Sequence, residues 1–175
     1  MHFLRNSYNE LLYCLVLKEL KVRYNYNFFG YLWALGNPIA FAIIYYFAFK
    51  VILRIEMENY SVFLLTGMFP WIFISNSIVR ATMAYRSNIT LVKRVKIPLS
   101  VLPMSTVFQE AIHFIFSIPV LIIFIYFSLD KIYLSWLYQI PILIIFQILF
   151  LYSISQILAV INVFVRDVEY LTNIF

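Results

Sequence analysis

Four long apolar runs, separated by short polar segments, dominate the chain. They cover residues 33–53, 62–79, 104–129 and 137–165. A helix of about 20 apolar residues crosses the roughly 30 Å hydrocarbon core of a bilayer, so each run is near or above that length. Pro38, Pro70, Pro119 and Pro141 lie in or beside these runs, where neighbouring helices can absorb a kink. The pattern predicts an all-α, polytopic membrane protein with four transmembrane helices.

A shorter amphipathic segment, residues 8–27, precedes the first run. Its polar positions recur every three or four residues: Glu10, Cys14, Lys18, Lys21 and Asn25. A second stripe is formed by Tyr13, Leu17, Leu20 and Tyr24. This periodicity predicts a helix in the membrane interface, with Lys18, Lys21 and Arg23 directed to lipid headgroups. The alternative is a helix that only leads the chain into the membrane.

The composition agrees with a membrane protein. The 175 residues are 64% hydrophobic and 12% charged, whereas an average soluble domain is about half apolar and a quarter charged. The net charge of +5 is spread along the edges of the apolar runs, which argues against nucleic-acid binding. Cys14 is the single cysteine, so an internal disulfide is excluded. We also expect no cleavable signal peptide, since a charged segment precedes the first long run.

The distribution of Lys and Arg predicts the orientation in the membrane. Four lie in the N-terminal segment, five in the loop after the second run, and Arg166 follows the fourth run. The opposite side carries Lys50, Arg54 and Lys131. Because cytoplasmic loops carry the excess of Lys and Arg, the N-terminus is expected in the cytoplasm.

The cytoplasmic loop is a basic and aliphatic segment, Asn88–Pro103, with the sequence NITLVKRVKIPLSVLP. Lys93, Arg94 and Lys96 exclude it from hydrocarbon, where each charge costs about 2.5–3.5 kcal/mol. Its eight aliphatic residues make it too apolar for a solvated loop. The segment therefore predicts a docking element that contacts another protein; a loop whose charges only set the topology is the alternative. The candidate contact residues, within a segment of residues 86–103, are Asn88, Leu91, Lys93, Arg94, Val95 and Pro98.

Three segments resemble the ABC-2 type permeases that export O-antigen, capsule or teichoic acid. In residues 20–38 the matching positions are Leu20, Lys21, Arg23, Tyr24, Gly30, Leu32, Trp33 and Pro38. In the docking element they are Asn88, Leu91, Lys93, Val95, Pro98, Leu102 and Pro103. A weaker match covers Phe164, Arg166, Asp167 and Val168.

The resemblance implies a homodimeric permease that exports a lipid-linked polysaccharide or polyol-phosphate polymer. It also implies multi-pass insertion in the bacterial cytoplasmic (inner) membrane and a separate ATPase subunit that binds the docking element. Such permeases have six spans, so the last two are expected to be missing here. The three glycines of the chain form no G-x-x-x-x-G-K-[ST] loop. We therefore expect no cofactor in this chain, with ATP and Mg²⁺ bound by the partner.

Other functions stay open as alternatives. An ABC-2 exporter of a drug or small lipid would have the same architecture, and an ATP-independent carrier or scaffold subunit is a further possibility. The two histidines are far apart and no nucleophile motif is present, so catalysis is not expected.

The polar and aromatic residues inside the apolar runs each have two possible interpretations. Glu110 and His113 share a helix face, as either a proton relay or a structural pair that anchors the interface. The amide side chains either join helices by hydrogen bonds or line a hydrated sugar pathway: Asn76, Gln109, Gln147, Gln156 and Asn162. Aromatic residues make up 20% of the chain. Those selected as pathway candidates, against the alternative of interfacial belts and packing, are Tyr45, Tyr46, Trp71, Phe73 and Tyr152.

Overall fold

The computed structural model describes residues 2–24, 32–52, 54, 60–129 and 135–174. All regular secondary structure in these ranges is helical. The helices are α1 (His2–Tyr24), α2 (Leu32–Tyr46), α3 (Tyr60–Thr82), α4 (Ala84–Ser87), α5 (Ile89–Arg94), α6 (Val101–Leu129), α7 (Trp136–Phe164) and α8 (Asp167–Thr172). A π-helical segment, Phe47–Ile52, continues α2. The prediction of an all-α fold is confirmed.

Within the described residues, four helices are long and apolar enough to cross a membrane. Their apolar stretches are Leu35–Ile52, Val62–Thr82, Val101–Phe127 and Tyr138–Phe164. The third of these membrane-length helices, α6, starts at Val101, whereas the sequence predicted a start at residue 104. Pro103 is compatible with the earlier start, because a proline in the first turn lacks only an N–H that has no intrahelical partner. Four membrane-length helices define a polytopic membrane protein.

The N-terminal helix differs from its prediction in length and in the face that it buries. It begins at His2, not at Tyr8, and the predicted end at residues 25–27 lies outside the described residues. Val16, Leu20 and Tyr24 are buried together against Phe108 and Ile112 of α6. Tyr13, predicted on the same stripe, is 65% exposed. The polar positions Glu10, Cys14, Lys18 and Lys21 are exposed, as predicted. On the apolar side Val16 is buried in place of Leu17, whereas Leu20 and Tyr24 are buried as predicted.

The centre of the bundle is formed by α3, α6 and α7, with small residues on two of its helices. Ser77 and Ala81 are spaced by four residues on α3, as are Ser155 and Ala159 on α7, and all four are fully buried. Small residues at this spacing allow helix backbones to approach closely in membranes. The α3–α7 pair is therefore suited to tight packing with little side-chain bulk between the helices.

Three amide side chains join separate elements through backbone carbonyls. Gln147 Nε2 donates to the Pro70 carbonyl at 3.0 Å, and Gln156 Nε2 donates to the Ser100 carbonyl at 2.9 Å. Asn162 Nδ2 donates at 3.0 Å to the carbonyl of Thr82, the last residue of α3. The last carbonyls of a helix have no intrahelical partner, so Asn162 caps that end. These contacts correspond to the helix-joining reading of the three residues.

Candidate docking surface and intramembrane polar cluster

The loop between α3 and α6 is ordered around Asn88, which lies between two short helices. Its Nδ2 donates to the Ala84 carbonyl at 3.0 Å, and its own carbonyl accepts from the Val92 N–H at 3.0 Å. Asn88 thus satisfies backbone groups at the end of α4 and at the start of α5. This residue, predicted to contact a partner, shapes the loop itself.

One side of the docking element packs against its own chain. Leu91, Val92 and Ile97 contact a core cluster of Leu15, Ala84, Val101 and Leu102. Tyr8, Leu11 and Leu12 of α1 contact the same cluster. Leu91, predicted to contact the partner, is therefore half-buried against this cluster. The docking element and α1 thus share one apolar cluster.

The other side of the docking element is exposed. We define the outer docking surface by the exposed residues Ile89, Lys93, Arg94, Val95, Lys96, Pro98 and Leu99. Ile89, Val95 and Leu99 are each about half exposed, and three cations lie among them. Large apolar side chains between charges are typical of protein interfaces with a polar rim. The surface is chemically suited to a groove that combines apolar and acidic side chains.

A buried carboxylate lies at the same end of the bundle. Glu110 of α6 is 2% exposed, and its Oε1 accepts from Arg23 of α1 at 2.9 Å. The same oxygen lies 3.1 Å from Nη1 of Arg80, near the end of α3. Arg23 was predicted to reach lipid headgroups; its guanidinium instead pairs with Glu110. A buried charge is tolerated when it is paired and hydrogen-bonded, and two cations here satisfy one anion.

The histidine of the predicted pair also contacts α1. The hydroxyl of Tyr24 is hydrogen-bonded to Nδ1 of His113, and the two rings are 5.4 Å apart. Glu110 and His113 thus each have a partner on α1. We call Arg23, Tyr24, Arg80, Glu110 and His113 the polar cluster. Its geometry matches the anchoring reading of Glu110 and His113, because it joins α1 to α3 and α6.

One feature of the sequence indicates the polar cluster. A carboxylate within a span requires a countercharge, and Arg23 and Arg80 both lie near predicted helix ends on the same side of the membrane. The predicted orientation places both arginines where they could pair with Glu110. The contact itself depends on packing between distant segments of the chain.

The predicted pathway aromatics do not form one surface. Tyr45 stacks near Phe41 and Phe49 and lines a shallow groove with the half-exposed Trp71. Tyr46 contacts Phe124 edge-on, with the Lys50 ammonium 5.2 Å from its ring. The other two candidates lie elsewhere: Phe73 is buried in a stack with Phe114, with centroids 5.3 Å apart, and Tyr152 contacts Tyr8 of α1. A pathway through all five stays a prediction.

An ion pair connects the loop to the C-terminal end of the described chain. Arg86 Nη1 lies 2.8 Å from Glu169 Oε2, so α4 is held to α8. Asp167 and Glu169 are both in the first turn of α8, where acidic side chains favourably meet the positive end of the helix dipole. Arg166 and Asp167 therefore lie at a stabilised turn after α7.

Fold and site together define an integral membrane protein, with four membrane-length helices among its described residues and an exposed basic and apolar loop. No protein-family model matches the chain. It is 42% identical over 160 residues to an O-antigen export system permease protein RfbA of Klebsiella pneumoniae. The matched region covers 91% of the chain and 62% of the relative. A second RfbA from that species is 40% identical over the same lengths. An RfbA of Myxococcus xanthus is 32% identical over 171 residues, or 95% of the chain and 64% of the relative.

These relatives confirm the resemblance to the ABC-2 permeases of polysaccharide export. The chain spans about 62% of the length of the first two curated relatives. The matched region covers at least nine-tenths of the chain, so it spans the positions of the docking element and the polar cluster.

Proposed function

We propose that this chain is the membrane part of an ABC exporter permease that moves an O-antigen-type, lipid-linked polysaccharide across the bacterial inner membrane. The observation that carries the proposal is the 42% identity to an O-antigen export system permease over 91% of the chain. Four membrane-length helices agree with a transport subunit. An exporter of a drug or small lipid is the less favoured function, because all three relatives are O-antigen permeases.

In this proposal the chemical energy comes from a separate subunit that binds ATP and Mg²⁺. Two copies of the permease form the path, and each offers its outer docking surface to one ATPase. ATP-driven motion of the ATPase then displaces the docking element. Because the inner side of that element packs on a cluster that includes Leu15 of α1 and Leu102 of α6, we expect the motion to reach both helices. The chain connection leads directly to α6, and the shared cluster adds a second route through α1.

The direct test is co-expression of the full-length permease with the ATPase encoded beside it. We expect the ATPase to co-elute with the tagged permease in detergent, and deletion of the permease to abolish O-antigen at the cell surface. Export is measured with an O-antigen antibody on intact cells. The proposal is contradicted if the ATPase does not co-elute with the tagged permease, or if cells that lack the permease still display O-antigen.

The proposed orientation is tested with reporter fusions. Alkaline phosphatase fused after Lys131 should be active, because that loop carries few Lys and Arg and is expected outside. The same enzyme fused after Ser87 should be inactive, since the docking element is expected in the cytoplasm. The reverse pattern of activities contradicts the orientation.

A further inference from the structure

A cavity of about 200 Å³ lies beside the polar cluster, between α1, α2, α3 and α6. An apolar cavity of about 150 Å³ is large enough for benzene, so this one accommodates a single six-membered ring. It is too small for an extended polymer. Its size therefore points to recognition of one unit of a larger ligand.

All four helices contribute hydrogen-bonding side chains to the cavity wall. Arg23 and Tyr24 come from α1, Asn37 from α2 and Asn76 from α3, and α6 supplies Glu110, His113 and Ser117. The rest of the wall is largely phenylalanine: Phe41, Phe69, Phe73 and Phe114. Mixed neutral donors and acceptors beside aromatic carbon suit a ligand that carries both hydroxyl groups and apolar C–H faces.

Most of the hydrogen-bonding side chains at the cavity are uncharged, which suits an uncharged ligand. Glu110 Oε1 already accepts from Arg23 and is ion-paired with Arg80, so the carboxylate does not require a further cation. An anionic ligand would face Glu110 itself across the cavity. The amides of Asn37 and Asn76 bear no net charge, and each can donate and accept hydrogen bonds. The hydroxyls of Tyr24 and Ser117 are already bonded, to His113 and to the Phe114 carbonyl.

The position of the cavity in the bundle also indicates a polar cargo. Glu110 is nine residues into α6 and Ser117 is sixteen, about 14 and 24 Å from its start at 1.5 Å per residue. Hydrogen-bonding groups thus extend from the end that bears the docking element deep into the hydrocarbon zone. Ionisable side chains within a span that are turned to the protein interior, as Glu110 is, often mark a substrate pathway.

We propose that this cavity binds one uncharged sugar residue of the exported glycan. The inference rests on the proposed function for the source of the sugar. Asn37 and Asn76 hydrogen-bond the ring hydroxyls, and the phenylalanine side chains contact its C–H face. Binding inside one protomer holds a glycan end near α1, the helix that shares an apolar cluster with the docking element.

The test uses the full-length permease–ATPase complex in lipid nanodiscs and saturation-transfer NMR with three probes, D-mannose, D-galactose and N-acetylglucosamine. We expect transfer to the ring C–H protons of at least one sugar. Asn76→Leu, of similar size but without hydrogen-bonding groups, should reduce the affinity about fivefold or more, as the loss of one ligand hydrogen bond implies. Asn173→Leu, the same substitution in the exposed end after α8, should leave it unchanged.

A second variant, Asn37→Leu, reports on the same cavity from another helix if Asn76→Leu does not fold. A weakened sugar signal at an unchanged unfolding temperature supports binding. The proposal is overturned if none of the three sugars receives saturation, if both variants bind as the wild type does, or if inorganic phosphate displaces the sugars. Loss of sugar binding with ATPase co-elution and export intact refutes the cavity alone, whereas absence of co-elution refutes the proposed function.

Discussion

Replacing Glu110 with leucine should destabilise the protein by about 3 kcal/mol, because removal of one partner from a buried ion pair leaves the other charges uncompensated. Arg23 and Arg80 would then face each other across an apolar side chain. Their side chains are 33% and 42% exposed, so solvent lowers the expected cost to the low end of the range for buried pairs. The free energy of unfolding in mixed micelles measures the effect.

The matched control is Glu19→Leu, which removes a carboxylate from the exposed Lys18–Glu19 pair at 3.1 Å. Such surface pairs contribute about 0–1 kcal/mol, so this variant should unfold close to the wild type. The triple variant R23M/R80M/E110L should recover much of the stability, since apolar replacement of a whole buried ion network is often neutral or better. Equal effects of E110L and E19L would contradict the role of the polar cluster.

The sequence predicted the spans well because their signal is local. An unbroken apolar run of membrane length specifies a helix without reference to the rest of the chain, and α3 and α7 contain their predicted ranges to within one residue. The polar face of α1 was predicted for the same reason. Its buried face was displaced, since Leu12 and Val16 rather than Tyr13 and Leu17 continue the stripe of Leu20 and Tyr24.

The polar cluster and the two sides of the docking element could not be predicted from local patterns. Arg23 and Glu110 are 87 residues apart in the chain, so their contact follows from the packing of α1 on α6. The docking element forms only a six-residue helix followed by an extended stretch. Such a short helix has no reliable periodicity, so the sequence could not separate Leu91, which packs inward, from Val95, which is exposed.

The second large effect is expected at the outer docking surface. The double substitution K93E/R94E reverses two exposed charges without touching the inner contacts of Leu91, Val92 and Ile97. Like charges placed against a complementary partner cost several kcal/mol in association. The ATPase should therefore bind at least about tenfold more weakly, at 1.4 kcal/mol for each factor of ten. Membrane insertion and the unfolding temperature should stay unchanged.

The control for this variant is K18E/K21E, which makes the same change in net charge on the exposed side of α1. These lysines lie on the helix face opposite to Val16 and Leu20 and outside the outer docking surface. We expect this variant to keep the ATPase at wild-type affinity. A comparison of the two variants thus separates a specific docking contact from a general effect of charge at this end of the protein.

The central claim is that a separate ATPase binds the permease at the loop between α3 and α6. The most direct measurement is the amount of ATPase that co-elutes with full-length K93E/R94E, compared with K18E/K21E and the wild type at equal permease levels. The account predicts that the ATPase is lost from K93E/R94E alone, together with O-antigen at the cell surface. Wild-type co-elution and export by K93E/R94E would contradict it.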